Sequence, residues 1–250
     1  PVATFDKPLI RETDDFGYSA AISGTRVIVG AFSDGPAPRI GGRAYVFDLE
    51  SATVTLPVLT LTNPSPALND WFGYSLAVSG SMVVVTAVYD DTGATGAGSA
   101  YVFNLAGEIP ASPVATLNHP GSSGGSLFGN SVAISGTRMV AGARFDHTGA
   151  SFAGSAYVYD LASATPAVPA MTLNNPEPTE SDGFGVSVAI SGSLAVVGAT
   201  HDDTGATNAG SVYVYDLAGA TPAVPIVTLH NPEPGNEDLF GNARSEEHTS

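Results

Sequence analysis

The chain has 250 residues with 24 Asp and Glu against 8 Lys and Arg, a formal net charge of −16, and no Cys. A nucleic-acid binder needs a basic footprint, and this composition excludes one; the absence of Cys excludes disulfides and thiolate metal sites. No apolar run approaches the roughly 20 residues of a membrane-spanning helix, so no membrane span is expected, and the acidity favours attraction to cations or basic partners.

The chain order is dominated by recurrence. Pro1 to Phe5, PVATF, matches PVATL at 113–117, so the chain opens inside a repeat. This stretch is expected to form the outer strand of a preceding unit or to pair on a free edge. Phe-Gly then occurs at Phe16, Phe72, Phe128, Phe184 and Phe240, each 56 residues after the last. Ser-Gly follows at Ser23, Ser79, Ser135 and Ser191 with the same spacing. A fixed long period means an array of like units. The array spans 1–243, with four complete units and a truncated fifth. Residues 244–250, RSEEHTS, break the pattern where FGNSVAISG would continue, and read as a non-native tail.

Each unit reads as four strands. In the fourth, Gly185 to Ser191 alternates small polar residues with Val188 and Ile190, a period of two. Ser191-Gly192-Ser193 is a tight turn. Leu194 to Ala199 is a short apolar run, as in a strand buried on both faces. After the loop HDDTGATNAG, Ser211 to Leu217 alternates again. A Pro- and Ala-rich link leads to Ile226–Leu229, and Pro225 at its start marks an edge strand, the outermost one. Short runs rich in Val, Tyr and Thr, punctuated by Gly and Pro, argue against helix. Four strands per repeat predict an all-β propeller fragment, with four antiparallel blades in an arc and the Phe-Gly strand innermost. Each recurring Phe is expected to wedge between adjacent blades, with the following Gly permitting close backbone approach. Tyr157, Tyr159, Tyr213 and Tyr215 are expected in the interblade core.

The motifs FG-x-S-x-A-[IV]-S-G, V-x-G-A and A-G-S-x-Y-V-[YF]-[DN]-L resemble the FG-GAP repeat. That resemblance implies the seven-bladed propeller of integrin α subunits and of many bacterial extracellular proteins, with a role in adhesion or ligand binding outside the cell or at its surface. Four units cannot close a seven-bladed ring, so further blades of a parent chain are expected partners. Calcium-binding integrin blades carry an Asp-rich D-x-D-x-D-G loop between the first two strands. Here those positions read SGTR, SGSM, SGTR and SGSL, so these units resemble the calcium-free blades.

Candidate binding residues gather on one set of loops. In an up-and-down blade, the loop entering the first strand and the loop joining the second to the third emerge at the same end. The entering loops hold Asp70 and Asp182 among other acids, and the second-to-third loops hold Asp90, Asp91, Asp146, His147, Asp202 and Asp203. The opposite loops hold fewer acids. Adjacent carboxylates suit Ca²⁺, which takes six to eight oxygens; equally, Asp and Thr bond their own turn backbone. This acidic face is expected to take a protein or polysaccharide ligand, a divalent cation or a basic partner. An active site needs one constellation, so its residues should break the repeat. The breakers are His147, His119, His230, Trp71, Arg39 and Arg43, and they form no recognisable catalytic motif. His119 and His230 read as surface turn residues, and Trp71 as a cover for a blade edge or a ligand-stacking ring. The expected function is a non-catalytic binding module; a propeller domain of a carbohydrate-active enzyme and a purely structural array are the alternatives.

Overall fold

The computed structural model describes Thr4, Phe5, Lys7 and residues 14–35, 41–121 and 124–242. Among them there is no helix, only four four-stranded antiparallel sheets. The first blade contains β1 (Phe16–Ser23), β2 (Arg26–Ala31), β3 (Arg43–Asp48) and β4 (Leu59–Thr62). The second contains β5 (Phe72–Ser79), β6 (Met82–Ala87), β7 (Ser99–Asn104) and β8 (Pro113–Asn118). The third contains β9 (Val132–Ser135), β10 (Arg138–Ala143), β11 (Ser155–Asp160) and β12 (Met171–Asn174). The fourth contains β13 (Ser187–Ser191), β14 (Leu194–Ala199), β15 (Ser211–Asp216) and β16 (Val227–His230). Spatial order follows chain order in every blade. The expected first strand of the fourth blade begins two residues later than predicted, and the last ends one residue later, at His230. Residues 1–3 and the tail at 244–250 lie outside the described residues.

The Phe-Gly strands are innermost. β1, β5, β9 and β13 meet one another in succession, whereas the last strands lie at the periphery, and every residue of β16 is exposed. Two sets of side-chain bonds hold the inner strands together. At one end the Ser hydroxyl two residues after the Phe-Gly pair donates to the Gly carbonyl of the next blade: Ser19 to Gly73 at 2.7 Å, Ser131 to Gly185 at 2.8 Å and Ser187 to Gly241 at 2.6 Å. At the other end the turn Gly donates its amide to the preceding blade's Ser: Gly80 to Ser23, Gly136 to Ser79 and Gly192 to Ser135, at 3.0–3.1 Å. The recurring Ser-Gly is therefore both a hairpin turn and an interblade tie.

Packing explains the recurring Phe. Phe72 is buried among Ile28 and Val46 of the first blade and Tyr101 and Phe103 of its own. Phe128 and Phe184 repeat the arrangement at the next two junctions. The following Gly has no room for a side chain: a Cβ on Gly73 would lie 2.5 Å from the Arg43 carbonyl oxygen, and one on Gly185 would lie 2.5 Å from that of Ser155. Among the described residues no blade precedes Phe16, which is only half-buried, against Tyr45 and Phe47. Phe5 packs on Phe47 at 4.6 Å, outside any strand. Tyr157, Tyr159, Tyr213 and Tyr215 are buried in the junctions as expected.

Candidate functional site, the face formed by the entering and second-to-third loops

The two loop sets emerge at the same end and are tied there by backbone bonds. The Tyr89 amide donates to the Asp70 carbonyl at 3.2 Å, that of Phe145 to Ser126 at 3.3 Å and that of His201 to Asp182 at 3.1 Å. The second-to-third loop also receives the next blade: the amides of Phe72, Phe128 and Phe184 donate to Gly41, Ala97 and Ala153 at 2.8–2.9 Å.

Most of the acids expected on this face point inward. Asp70, Asp90, Asp146, Asp182 and Asp202 are all buried, while Asp91, Asp203 and His147 are exposed. Each buried Asp of a second-to-third loop accepts the hydroxyl of a strand-three Tyr eleven residues later: Tyr45 donates to Asp34, Tyr101 to Asp90, Tyr157 to Asp146, and Tyr213 to Asp202 at 2.8 Å. The other carboxylate oxygen caps the turn, as in Thr92 and Thr204 amides donating to Asp90 and Asp202 at 2.8 Å. Burial, and then the bond to Asp34, pushes Tyr45 up to about 12, and the other three tyrosines are pushed up from the same causes. The turn-capping role of these Asp residues was one of the two sequence expectations; the tyrosine partner was not among them.

The entering-loop acids are held in a second recurrent motif. Asn63 Nδ2 and the Ala67 amide both donate to Asp70 Oδ2, at 2.7 and 2.6 Å. Asn175 and the Thr179 amide do the same for Asp182, and Asn231 and the Gly235 amide for Asp238. Burial raises Asp70 and Asp182 above the ordinary carboxylate range despite these bonds.

His119 corrects a sequence expectation. It is not a surface turn residue but 4% exposed, with Nε2 3.2 Å from Asp146 Oδ2 and 3.3 Å from the Tyr157 hydroxyl. Its place, 56 residues after Asn63 and before Asn175, is the Asn slot of the third blade. Ser126 there replaces the Asp that Asn63 and Asn175 bond in their blades, and the His119 ring lies against Asp146 instead. Burial opposes ionisation of Asp146, but the bonds from His119 and Tyr157 outweigh it and hold the carboxyl below its ordinary range. In the first blade the same slot holds Lys7, whose ammonium bonds Asp14 and lies 3.1 Å from Asp34 Oδ1. Aligning the units on their period would have revealed this slot. His230, by contrast, is exposed, at the end of β16, with Nδ1 3.0 Å from the Ser211 hydroxyl.

These residues do not suit Ca²⁺. The turns between the first two strands are two-residue hairpins with Gly at positive φ and no carboxylate. In the acidic loops Asp90 and Asp202 are committed to Tyr and turn amides, and Asp91 accepts the Gly96 amide at 2.8 Å. Among the described residues no three His, Cys, Asp or Glu side chains converge.

A second group of residues on this face was only partly foreseen. Trp71 lies in the loop entering the second blade, T-shaped to Tyr89 at 4.6 Å and stacked on Tyr74 at 5.9 Å. Phe32 packs on Trp71 at 4.9 Å, and Tyr18 packs on Phe32 at 4.7 Å and Tyr74 at 5.1 Å. Tyr18 is 54% and Tyr89 39% exposed. In the third and fourth units these slots hold Asn130 and Val186, Arg144 and Thr200, Leu127 and Gly183, and Phe145 and His201. Tyr18 and Tyr74 fill one slot in successive units and Phe145 keeps a ring in the slot of Tyr89, but Trp71 and Phe32 depart from their counterparts and draw the five rings together at the junction of the first two blades.

A family model described as FG-GAP repeat matches residues 11–47, 58–103, 113–159 and 172–215. The chain belongs to the FG-GAP repeat family. Each match covers the first three strands of one blade, and the second, third and fourth matches begin on the outer strand of the blade before. No curated protein matches the chain. Among solved structures it is similar to the computationally designed Ika4 protein, 18% identical over 83% of this chain and 94% of that one, with a TM-score of 0.49. The computationally designed Ika8 protein is 15% identical over 87% of this chain and 62% of that one, also with a TM-score of 0.49. This FG-GAP chain has no described helix long and apolar enough to cross a membrane.

Proposed function

We propose that the chain is a non-catalytic ligand-binding propeller module that works outside the cell or at its surface, and that its ligand is a polysaccharide held on the face made by the entering and second-to-third loops. The observation that carries this reading is the ring cluster of Tyr18, Phe32, Trp71, Tyr74 and Tyr89. In a repeat array, features shared by all blades serve architecture, and a ligand site has to be made from what differs. Trp71 and Phe32 differ from their counterparts in the other blades, and the five rings adjoin one another and are partly exposed. Aromatic residues with one apolar and one polar part suit surfaces that are partly wet, and flat rings suit the apolar faces of sugars. Asp15 and Asp91 are exposed on the same loops and supply hydrogen-bond acceptors. The commitment of Asp90, Asp146 and Asp202 to tyrosine hydroxyls and turn amides favours a binding role over hydrolysis, because acid-base pairs need free carboxylates at a defined separation.

The test is a glycan panel probed with the chain and with Trp71→Ala, each checked for fold by circular dichroism. Saccharide binding that falls at least tenfold in the variant is expected. Retention of a protein partner with no glycan signal would replace polysaccharide by a protein ligand. Binding unaffected by Trp71→Ala, or release of sugar products from the panel, would contradict the reading.

A further inference from the structure

The third blade also breaks the repeat on this face, and there it reverses the charge. The entering and second-to-third loops of the fourth blade hold Glu177, Glu180, Asp182, Asp202 and Asp203. Residues 119–130, which enter the third blade, contain no Asp or Glu, and its second-to-third loop keeps only Asp146, which is buried and bonded to Tyr157. Three substitutions fall in that loop. Arg144 stands where the second and fourth blades have Val88 and Thr200, His147 where they have Asp91 and Asp203, and Phe152 where they have Gly96 and Asn208. The new side chains adjoin one another through Phe145. The Arg144 guanidinium lies 4.5 Å over the Phe145 ring, Phe152 packs on Phe145 at 5.5 Å, and His147 packs on Phe152 at 4.6 Å. Phe152 is 40% exposed and has a φ of 55°, where Gly96 has 60° and Asn208 has 53°. Gly and Asn suit that left-handed region, and a bulky ring there is strained. Arg144 has no carboxylate: none of the ion pairs among the described residues includes it. Its Nε is buried without a hydrogen-bond partner, and its amide rather than its side chain donates to Asn130 Oδ1, at 3.1 Å. Arg43, by contrast, lies 3.6 Å from Asp34, and Lys7 is bonded to Asp14.

We infer that the polysaccharide ligand is an acidic one, and that Arg144 binds its oxyanion, a carboxylate or a sulfate ester, beside Phe145 and Phe152. The inference rests on the polysaccharide reading and names the class of sugar. Arg144 fills the slot that Phe32 fills in the first blade. It therefore stands to the junction of the third and fourth blades as the ring cluster stands to that of the first and second. A glycan lying along this face meets flat rings at one junction and a fixed cation two junctions on. The stack on Phe145 orients a guanidinium whose donors no described residue uses, and its planar fork matches either oxyanion. The neighbouring rings cover the apolar part of the same sugar. The surroundings set the spacing of charge along the ligand. Asp91 and Asp203 are exposed on the loops to either side, so a polymer charged on every sugar is repelled on both flanks. Charges farther off than about 8 Å are screened at physiological ionic strength. The site therefore fits a chain in which acidic sugars are separated by neutral ones.

The experiment uses a glycan panel with neutral, uronate-bearing and sulfated members, and compares the chain with Arg144→Thr, His147→Asp and Trp71→Ala. The first two substitutions install what the fourth blade holds at those positions, Thr200 and Asp203, so the fold is expected to be kept, as circular dichroism checks. Binding is expected to acidic members, and the arm that responds, uronate or sulfate, identifies the oxyanion. Loss of a charge-assisted bond should weaken it roughly tenfold or more in Arg144→Thr, and His147→Asp should weaken it less. Added salt should weaken binding by the chain more than binding by Arg144→Thr. Binding of neutral glycans alone, lost in Trp71→Ala and kept in Arg144→Thr, leaves the polysaccharide reading standing and overturns this inference. So does binding of an acidic glycan that Arg144→Thr leaves unchanged; if that variant loses its fold, unchanged binding by His147→Asp has the same force. Absence of any glycan signal overturns both readings.

Discussion

The second and third blades share a backbone plan and differ in how their junctions handle charge. Phe72 and Phe128, Tyr101 and Tyr157, and Asp90 and Asp146 are equivalent pairs, all buried. Around them, Asn63 and Asp70 become His119 and Ser126. The apolar wedge and the Asp-Tyr bond are therefore the fixed frame, and the residue seven before the entering-loop acid adjusts the charge. The junctions tolerate two carboxylates, or one with an imidazole, or two with an ammonium, as long as the tyrosine and the turn amides are satisfied.

The largest effect should come from the wedge. Phe72→Ala or Phe128→Ala empties a fully buried site between two blades and should cost about 3–5 kcal/mol. Phe16→Ala should cost much less, because no earlier blade among the described residues covers that half-buried ring. Denaturant titration of the three variants checks the difference, and equal losses would mean that interblade packing is not what the Phe supplies.

Next is the tyrosine hydroxyl. Tyr101→Phe leaves Asp90 Oδ2 without its donor and should cost about 1–3 kcal/mol. Tyr157→Phe should cost less, because His119 still faces Asp146 Oδ2. Reversal of this order in urea titrations would remove His119 from its compensating role.

The smallest effect is in pH dependence. Folding raises Asp70 and Asp182, so below neutrality the folded state takes up protons before the unfolded state does. Stability should therefore increase as pH falls towards the ordinary carboxylate range. Folding lowers Asp146 and Asp202, so below that range the unfolded state binds more protons and stability should fall. Melting temperature followed from neutral to acid pH should pass through a maximum. Asp70→Asn should weaken the rise, and Asp146→Asn should flatten the acid limb.

The blades were legible in the sequence because their cause is periodic. Phe-Gly every 56 residues marks the wedge, Ser-Gly the inner hairpin, and Pro225 the edge. The fate of the acids was not legible from loop composition, because the same carboxylate in a loop can face solvent or turn back to a tyrosine. The eleven-residue Asp-to-Tyr spacing, present in all four units, carries that information once the strand between them is known to place the hydroxyl over the turn. Pro120 makes His119 look like a turn residue; its equivalence to Asn63 and Lys7 emerges only when the units are aligned on their 56-residue period. Trp71 stood out alone in the sequence, whereas its company of Tyr18, Phe32, Tyr74 and Tyr89 comes from two blades and required the fold.

The central claim is that the ligand sits where the repeat is broken. Hydrogen exchange of the chain with and without a saccharide selected from the glycan panel tests it most directly. The account predicts new protection at the entering and second-to-third loops of the first two blades, around residues 16–18, 32–34, 70–75 and 88–91. Protection confined to the turns at the opposite end, around Gly24, Gly80, Gly136 and Gly192, would contradict it.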